Sequence, residues 1–192
     1  MRKIFLDIGG WNGKSSIFFR ENHPEGDSFE IFMFECDKQN IESIKSKNLK
    51  ITLIEKAAWC FNKKVKYYYG NNDGGSLYST KKTGKINPKN FYEVDAIDLA
   101  EFIINNFNKD DYIIIKMNCE GAEYELIPHL QKNNIIDWIN KWYIQWHWSK
   151  IGLDELTHNN IKKLIPKSFE WECQTNEQLF ITKFKQSLLN EE

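Results

Sequence analysis

Three stretches of this chain place glycines and polar side chains where apolar runs stop. The first is Asp7-Ile8-Gly9-Gly10-Trp11-Asn12-Gly13. Gly9, Gly10 and Gly13 let the backbone approach a ligand closely, and the helix expected next offers unpaired N–H groups at its start. A dinucleotide fingerprint needs G-x-G-x-x-G, whereas here a carboxylate leads and the spacing is D-x-G-x-x-x-G. Asp7 would repel a pyrophosphate and hold a ligand that carries an ammonium beside a cationic centre. S-adenosylmethionine is such a ligand, although any tight strand-to-helix turn also requires glycine. The second stretch is Phe34-Glu35-Cys36-Asp37. An acid that closes the second strand of a nucleoside-binding sheet accepts hydrogen bonds from ribose hydroxyls, and Glu35 is placed to do so. Asp37 fits the ordinary role of helix cap better. The third stretch runs from Lys116 to Glu125 (KMNCEGAEYE). Polar residues appear there at the carboxyl end of a very apolar run, the rim where open α/β sheets bind ligands, so Asn118 and Glu120 face a site. His147 is expected to end another strand on that rim, where an imidazole can take a proton near neutral pH. The plainer reading of His147 is a partly buried ring bonded to backbone.

These residues need elements to carry them. Ile4–Ile8, Ser28–Phe34, Leu49–Ile54, Tyr112–Asn118 and Lys141–Trp148 read as strands, and Lys63–Tyr69 as an extra one. Helical periodicity covers Lys14–Glu21, Asp37 to about Lys47, Asp95–Phe107, Ala122–Lys132 and Asp154–Ile165. Gly70–Ser76 is the most turn-rich stretch and opens a long loop reaching Tyr92, whose place between two strand–helix units favours contact with a substrate. Phe169–Cys173 and Gln178–Phe184 follow each other without a helix, which makes an antiparallel hairpin. The alternation predicts an α/β fold: a Rossmann-like, doubly wound, seven-stranded, mostly parallel sheet with helices on both faces and that hairpin at its C-terminal edge.

The chain has 192 residues, 41% of them hydrophobic and 28% charged, which fits one domain over 1–192 and excludes a membrane span. Lys plus Arg (26) balance Asp plus Glu (27), so no basic field points to nucleic acid as a partner. Cys36, Cys60, Cys119 and Cys173 form no CxxC pair, arguing for free, buried thiols rather than a zinc ribbon or a redox dithiol. The N-terminal apolar run is too short for a signal peptide, and a cytoplasmic location follows. His23, His129 and His158 lack the partners of a metal cage, so no metal is expected.

The motifs at 7–13, 34–37 and 116–125, in that order, resemble the FkbM-type methyltransferases, a branch of the class I S-adenosylmethionine-dependent enzymes, and the order of elements agrees from residue 4 to 184. The resemblance implies S-adenosylmethionine as cofactor, with Asp7 and the backbone of Gly9 to Gly13 at its methionine portion and Glu35 at the ribose. Lys56, Ala57 and Ala58 would flank the adenine. The Asn71–Tyr78 loop, Asn118, Glu120 and His147 would surround an acceptor oxygen on a sugar, a glycan or a small natural product. Three positions depart from the family pattern: Trp11 stands for Asn, Cys36 for Pro and Asn118 for Asp. Asn118 cannot ionise, which leaves His147 as the expected base. Only three residues precede the first strand, as in a domain cut from a longer chain. Two other readings stay open: a nucleoside-cofactor-binding module without activity, and an NAD-type oxidoreductase on the same sheet. The sequence sets no oligomeric state.

Overall fold

Runs of β-branched and aromatic residues build the strands: β1 (Lys3–Ile8), β2 (Glu30–Phe34), β3 (Thr52–Ile54), β4 (Ala57–Trp59), β5 (Lys64–Tyr68), β6 (Phe91–Asp98), β7 (Tyr112–Met117), β8 (Ile139–Trp146) and β9 (Phe169–Glu172). Between them lie α1 (Lys14–Asn22), α2 (Lys38–Ser46), α3 (Leu99–Asn106), α4 (Glu123–Lys132), α5 (Trp148–Ile151) and α6 (Glu155–Lys162). The structure, a computed structural model, describes residues 1–70 and 74–165 and the backbone of 169–172.

The main sheet has six strands in the order β3-β2-β1-β7-β8-β9, and every pairing in it is parallel. The strand order reverses between β1 and β7, so their carboxyl ends flank a crevice of the kind that takes ligands in open α/β sheets. Successive β1 side chains point to opposite faces. Ile4, Leu6 and Ile8 join Ile113, Ile115 and Met117 in the larger core, together with residues of α3 and α4. Phe5 and Ile114 face the other way with Phe19 of α1, whose ring stacks on Phe5 at 4.0 Å. Helices therefore cover both faces, and each fully buried Ile, Leu or Phe contributes roughly 1.5–3 kcal/mol.

The seventh strand expected at 178–184, and with it the antiparallel hairpin, lies outside the described residues. The first half of that expected hairpin, β9, pairs parallel to β8. β5 is the extra strand expected over 63–69, but its pairing in a second, smaller sheet, in the order β4-β6-β5, was not foreseen. That sheet corrects the helix expected over 95–107. Phe91 to Ala96 alternate, with Val94 and Ala96 buried and Phe91, Glu93 and Asp95 exposed, and the segment pairs antiparallel with β5. Asp98 caps α3, its Oδ1 accepting from the Glu101 N–H at 3.0 Å and lying 2.8 Å from His129 Nε2. Asp98→Ala is expected to cost about 0.5–2 kcal/mol in urea denaturation, the range for losing such a cap. A change within error would move the cap elsewhere. Asp37 does cap α2, accepting from the Gln39 and Asn40 N–H groups.

The strand expected over 141–148 is shifted: β8 ends at Trp146, and His147 precedes the short helix α5. Cys36, Cys60 and Cys119 are free thiols, half-buried rather than fully buried. Cys173 lies outside the described residues.

Candidate functional site

At the β1/β7 crevice the chain encloses a cavity of about 300 Å³, within the range of small-molecule sites. All three sequence motifs meet there, each at the carboxyl end of a strand.

The first turn is held by its neighbours. Gly9 and Gly10 both donate N–H bonds to the Phe34 carbonyl, at 3.1 and 3.0 Å, and Asn118 N donates to the Ile8 carbonyl at 2.9 Å. Gly9 has φ +79°, and a Cβ there would sit 2.1 Å from the Asn118 carbonyl oxygen, so only glycine fits. Gly13 is also left-handed, at φ +82°, and opens α1. Trp11 lines the cavity and has φ 47°, a left-handed backbone that Asn tolerates better than Trp.

Asp7 is fully buried, and its carboxylate is engaged within the protein. Its Oδ2 accepts from the Ser15 and Ser16 hydroxyls at 2.6 and 2.7 Å, and its Oδ1 lies 2.8 Å from Lys116 Nζ. The strand register sets Asp7 directly beside Lys116. Lys116 Nζ also donates to the Gly9 carbonyl at 2.7 Å. The pair therefore fixes the glycine turn, and Asp7 stands behind the cavity wall while Lys116 reaches it.

Glu35 lines the cavity and accepts three backbone bonds: from Trp11 N at 2.7 Å on Oε2, and from Cys36 N and Asp37 N at 2.8 Å each on Oε1. A carboxylate has about four acceptor positions, which leaves room for one further donor from the cavity rather than two. Burial pushes the Glu35 carboxyl up to about 7, against the pull of those three N–H groups. Ala57, in β4, lies on the wall nearby, beside Lys56 and Ala58.

Across the cavity, Asn118 and Glu120 form the turn into α4. The Asn118 Oδ1 is buried without a hydrogen-bond partner among the described residues. Glu120 has φ 54°, and its Oε2 lies 2.7 Å from Lys81 Nζ and 3.7 Å from Lys150 Nζ. Burial pushes the Glu120 carboxyl up, but the opposing charges of His147, Lys81 and Lys150 outweigh it and hold the group below the usual carboxylate range. His147 is fully buried and is not part of the wall; its Nε2 lies 3.7 Å from Glu120 Oε1, behind it. The structure thus brings Gly9, Gly10, Glu35, Ala57, Asn118 and Glu120 to one cavity, with Asp7 and His147 one layer back.

Sequence reasoning missed three residues. Glu123, fully buried in the first turn of α4, accepts from both the backbone N and Nδ1 of His147 at 2.8 Å on Oε1, and from Gly121 N at 3.1 Å on Oε2. It ties the end of β8 to the Asn118–Gly121 turn. Its signal was available: an acid among the buried Ala122, Tyr124, Leu126 and Ile127. Lys116 is the partner of Asp7. Lys81, its side chain only 2% exposed, bonds Glu120 and the Gly74 carbonyl, while Ser76 Oγ donates to the Glu120 carbonyl at 2.8 Å. These two residues clasp the segment after Gly74, which forms another wall of the cavity, onto the Glu120 turn. Residues 71–73 of the expected acceptor loop lie outside the described residues.

Among the described residues no group of three or more His, Cys, Asp or Glu is arranged to hold a metal ion, and no helix is long and apolar enough to cross a membrane. No curated protein and no solved structure matches the chain. The family model described as the Methyltransferase FkbM domain matches residues 7–171, which contain all three motifs and every cavity wall described above. The chain belongs to the FkbM methyltransferase family.

Proposed function

We propose that the chain is an S-adenosylmethionine-dependent O-methyltransferase whose acceptor is a small molecule or a glycan. The observation that carries this reading is the glycine cradle at Gly9 and Gly10, facing both Glu35 with an acceptor position to spare and the unpartnered Asn118 Oδ1. The cofactor supplies an activated methyl on a sulfonium. The protein has to align it with the acceptor oxygen, because the leaving group is already good. In this reading the Gly9–Gly13 backbone and Asn118 hold the methionine portion, Glu35 takes a ribose hydroxyl, and Ala57 flanks the adenine. Glu120 faces the acceptor, and His147 with Glu123 positions Glu120.

An NAD-type oxidoreductase is the competing class. Repulsion by Asp7 no longer separates the two, since Lys116 neutralises Asp7. The glycine spacing and the family still favour the methyl donor. Calorimetric titration of the full chain with S-adenosylmethionine, S-adenosylhomocysteine and NAD tests the choice: tight binding of NAD and none of the other two would overturn it.

Glu35 gives the titration a pH signature. A hydroxyl donates to the ionised carboxylate, so binding lowers a pKa that lies at about 7 in the free site. Affinity for S-adenosylhomocysteine should therefore be constant above that value and fall as pH drops through it, with proton release seen in buffers of different ionisation enthalpy. Glu35→Gln should weaken binding by about 1.5–3 kcal/mol, the range for a hydrogen bond to a charged group. Equal affinity at pH 6 and 8, roughly one unit either side of that pKa, would place the ribose elsewhere.

A further inference from the structure

Gln145 is the next-to-last residue of β8, and it lines the cavity although it is only 8% exposed. Among the described residues nothing hydrogen-bonds its carboxamide. The large majority of buried side-chain polar atoms have a partner, so a buried carboxamide that borders a cavity without one is suited to bind what enters there. The strand register says what that is. β8 pairs with β7 so that Lys116 stands beside Tyr143 and Met117 beside Ile144, and Asn118 and Gln145 come one step later at the two strand ends. Side chains alternate along β8: Ile144 joins the larger core, Tyr143 packs with Phe5 and Phe19 on the α1 face, and Gln145 shares that face. In the order β2-β1-β7-β8, Glu35 follows β2, the Gly9 cradle follows β1 and Asn118 follows β7. Neighbouring strands lie about 4.8 Å apart, so Gln145 stands roughly three strand spacings from Glu35 and one from Asn118. A cofactor laid from Glu35 to Asn118 ends before Gln145, and what reaches Gln145 is the acceptor.

We propose, resting on the methyltransferase reading above, that Gln145 binds a second hydroxyl of the acceptor, beside the oxygen that is methylated, so that the substrate is a vicinal diol such as a sugar ring carries and a simple alcohol is refused. A carboxamide offers a carbonyl oxygen that accepts and an NH2 that donates, and a hydroxyl can answer both. A carboxylate or phosphate only accepts and would leave the Gln145 oxygen empty, while an ammonium only donates and would leave its NH2 empty. Hydroxyl is the matching group. One strand spacing separates Gln145 from Asn118, so the hydroxyl it reaches belongs to the same ring as the reacting oxygen and lies close to it. Gln145 neither gives nor takes a proton. Its part is orientation: it turns the ring so that one of several chemically similar hydroxyls faces the methyl.

The test follows methyl label from S-adenosylmethionine in the full chain. Methyl mannoside, methyl rhamnoside, methyl galactoside and cyclohexane-1,2-diol are set against cyclohexanol and benzyl alcohol. Label is expected in one or more of the diols and in neither mono-alcohol. For the best acceptor, the analogue with the neighbouring hydroxyl replaced by hydrogen should lose about tenfold or more in kcat/KM, as for one hydrogen bond lost with its partner left buried. Gln145→Leu should lose as much on the diol and no longer distinguish it from that analogue, which is the signature of a direct contact. The same variant should bind S-adenosylhomocysteine as the wild type does and melt no lower, since leucine is of similar volume and breaks no hydrogen bond within the described protein. Label in the mono-alcohols, no label in any diol, a Gln145→Leu variant that still rejects the analogue, a fall in its S-adenosylhomocysteine affinity or a lower melting temperature overturns the proposal. Failure of S-adenosylhomocysteine to bind the wild type would sink the methyltransferase reading as well, whereas wild-type binding with any of those outcomes sinks this inference alone.

Discussion

Lys116→Met is expected to lower the unfolding free energy by about 3–5 kcal/mol, because removing one partner of a buried ion pair strands the other charge. Asp7 is fully buried, and the Lys116 side chain is 2% exposed. The Ser15 and Ser16 hydroxyls would still donate to Asp7, but two neutral hydroxyls do not compensate a carboxylate out of water. The Gly9 carbonyl would lose its ammonium donor in the same step. Total stability of a domain this size is on the order of 5–15 kcal/mol, so the variant should be partly unfolded in modest urea. Asp7→Leu combined with Lys116→Met should recover much of the loss, since a buried pair replaced by apolar groups of similar volume is close to neutral. Denaturation followed by tryptophan fluorescence measures both. A loss below about 1 kcal/mol for Lys116→Met would mean that water reaches the pair.

Asp7 also shows where sequence reasoning stops. Its position at the end of β1 was legible from the apolar run and the glycines behind it, and so was the rim position of Glu35 and Asn118. Its partner was not, because a pairing 109 positions apart depends on which strands become neighbours and in what register. The centre of the main sheet was legible for the same reason as the motifs: β1, β2, β7 and β8 are apolar runs of five to eight residues. Of the small sheet only β5, the extra strand expected over 63–69, was. β4 is three residues long, and β6 contains Val94, Ala96 and Ile97 before the apolar face of α3, so its period of two merges with the helical pattern that follows. His147 was placed on the rim by counting along a strand taken two residues too far. The chain turns into α5 at that point, and the ring is carried behind Glu120. What the motif spacing does not contain is which side chain stands in front of another.

The second large effect concerns Gly9, where those three strand ends touch. Its φ of +79° costs an alanine about 1 kcal/mol or more on backbone grounds alone. The added Cβ would lie 2.1 Å from the Asn118 carbonyl oxygen and 2.9 Å from its carbon, both backbone atoms that cannot rotate away. The turn after β1 would have to part from the turn after β7, pulling on the Gly9 N–H bond to Phe34 and the Lys116 bond to the Gly9 carbonyl. Those bonds hold the cradle between Glu35 and Asn118, and a displacement of about 1 Å in such a site costs on the order of a hundredfold. Gly9→Ala should therefore weaken S-adenosylhomocysteine binding by roughly a hundredfold or more and lower stability by about 2–4 kcal/mol, the scale of strain at a special backbone position with overpacking. Gly10→Ala is the control. The nearest atoms to its Cβ are Met33 Cγ and Sδ, at 2.3 and 2.4 Å, a buried side chain that has to repack rather than a fixed backbone, and its own backbone lies outside the left-handed region. The milder variant should keep measurable affinity and a higher melting temperature than Gly9→Ala. If Gly9→Ala instead binds within about threefold of the wild type and melts with it, the turn has slack that the Asn118 contact denies, and the cofactor cradle must be sought elsewhere along the crevice.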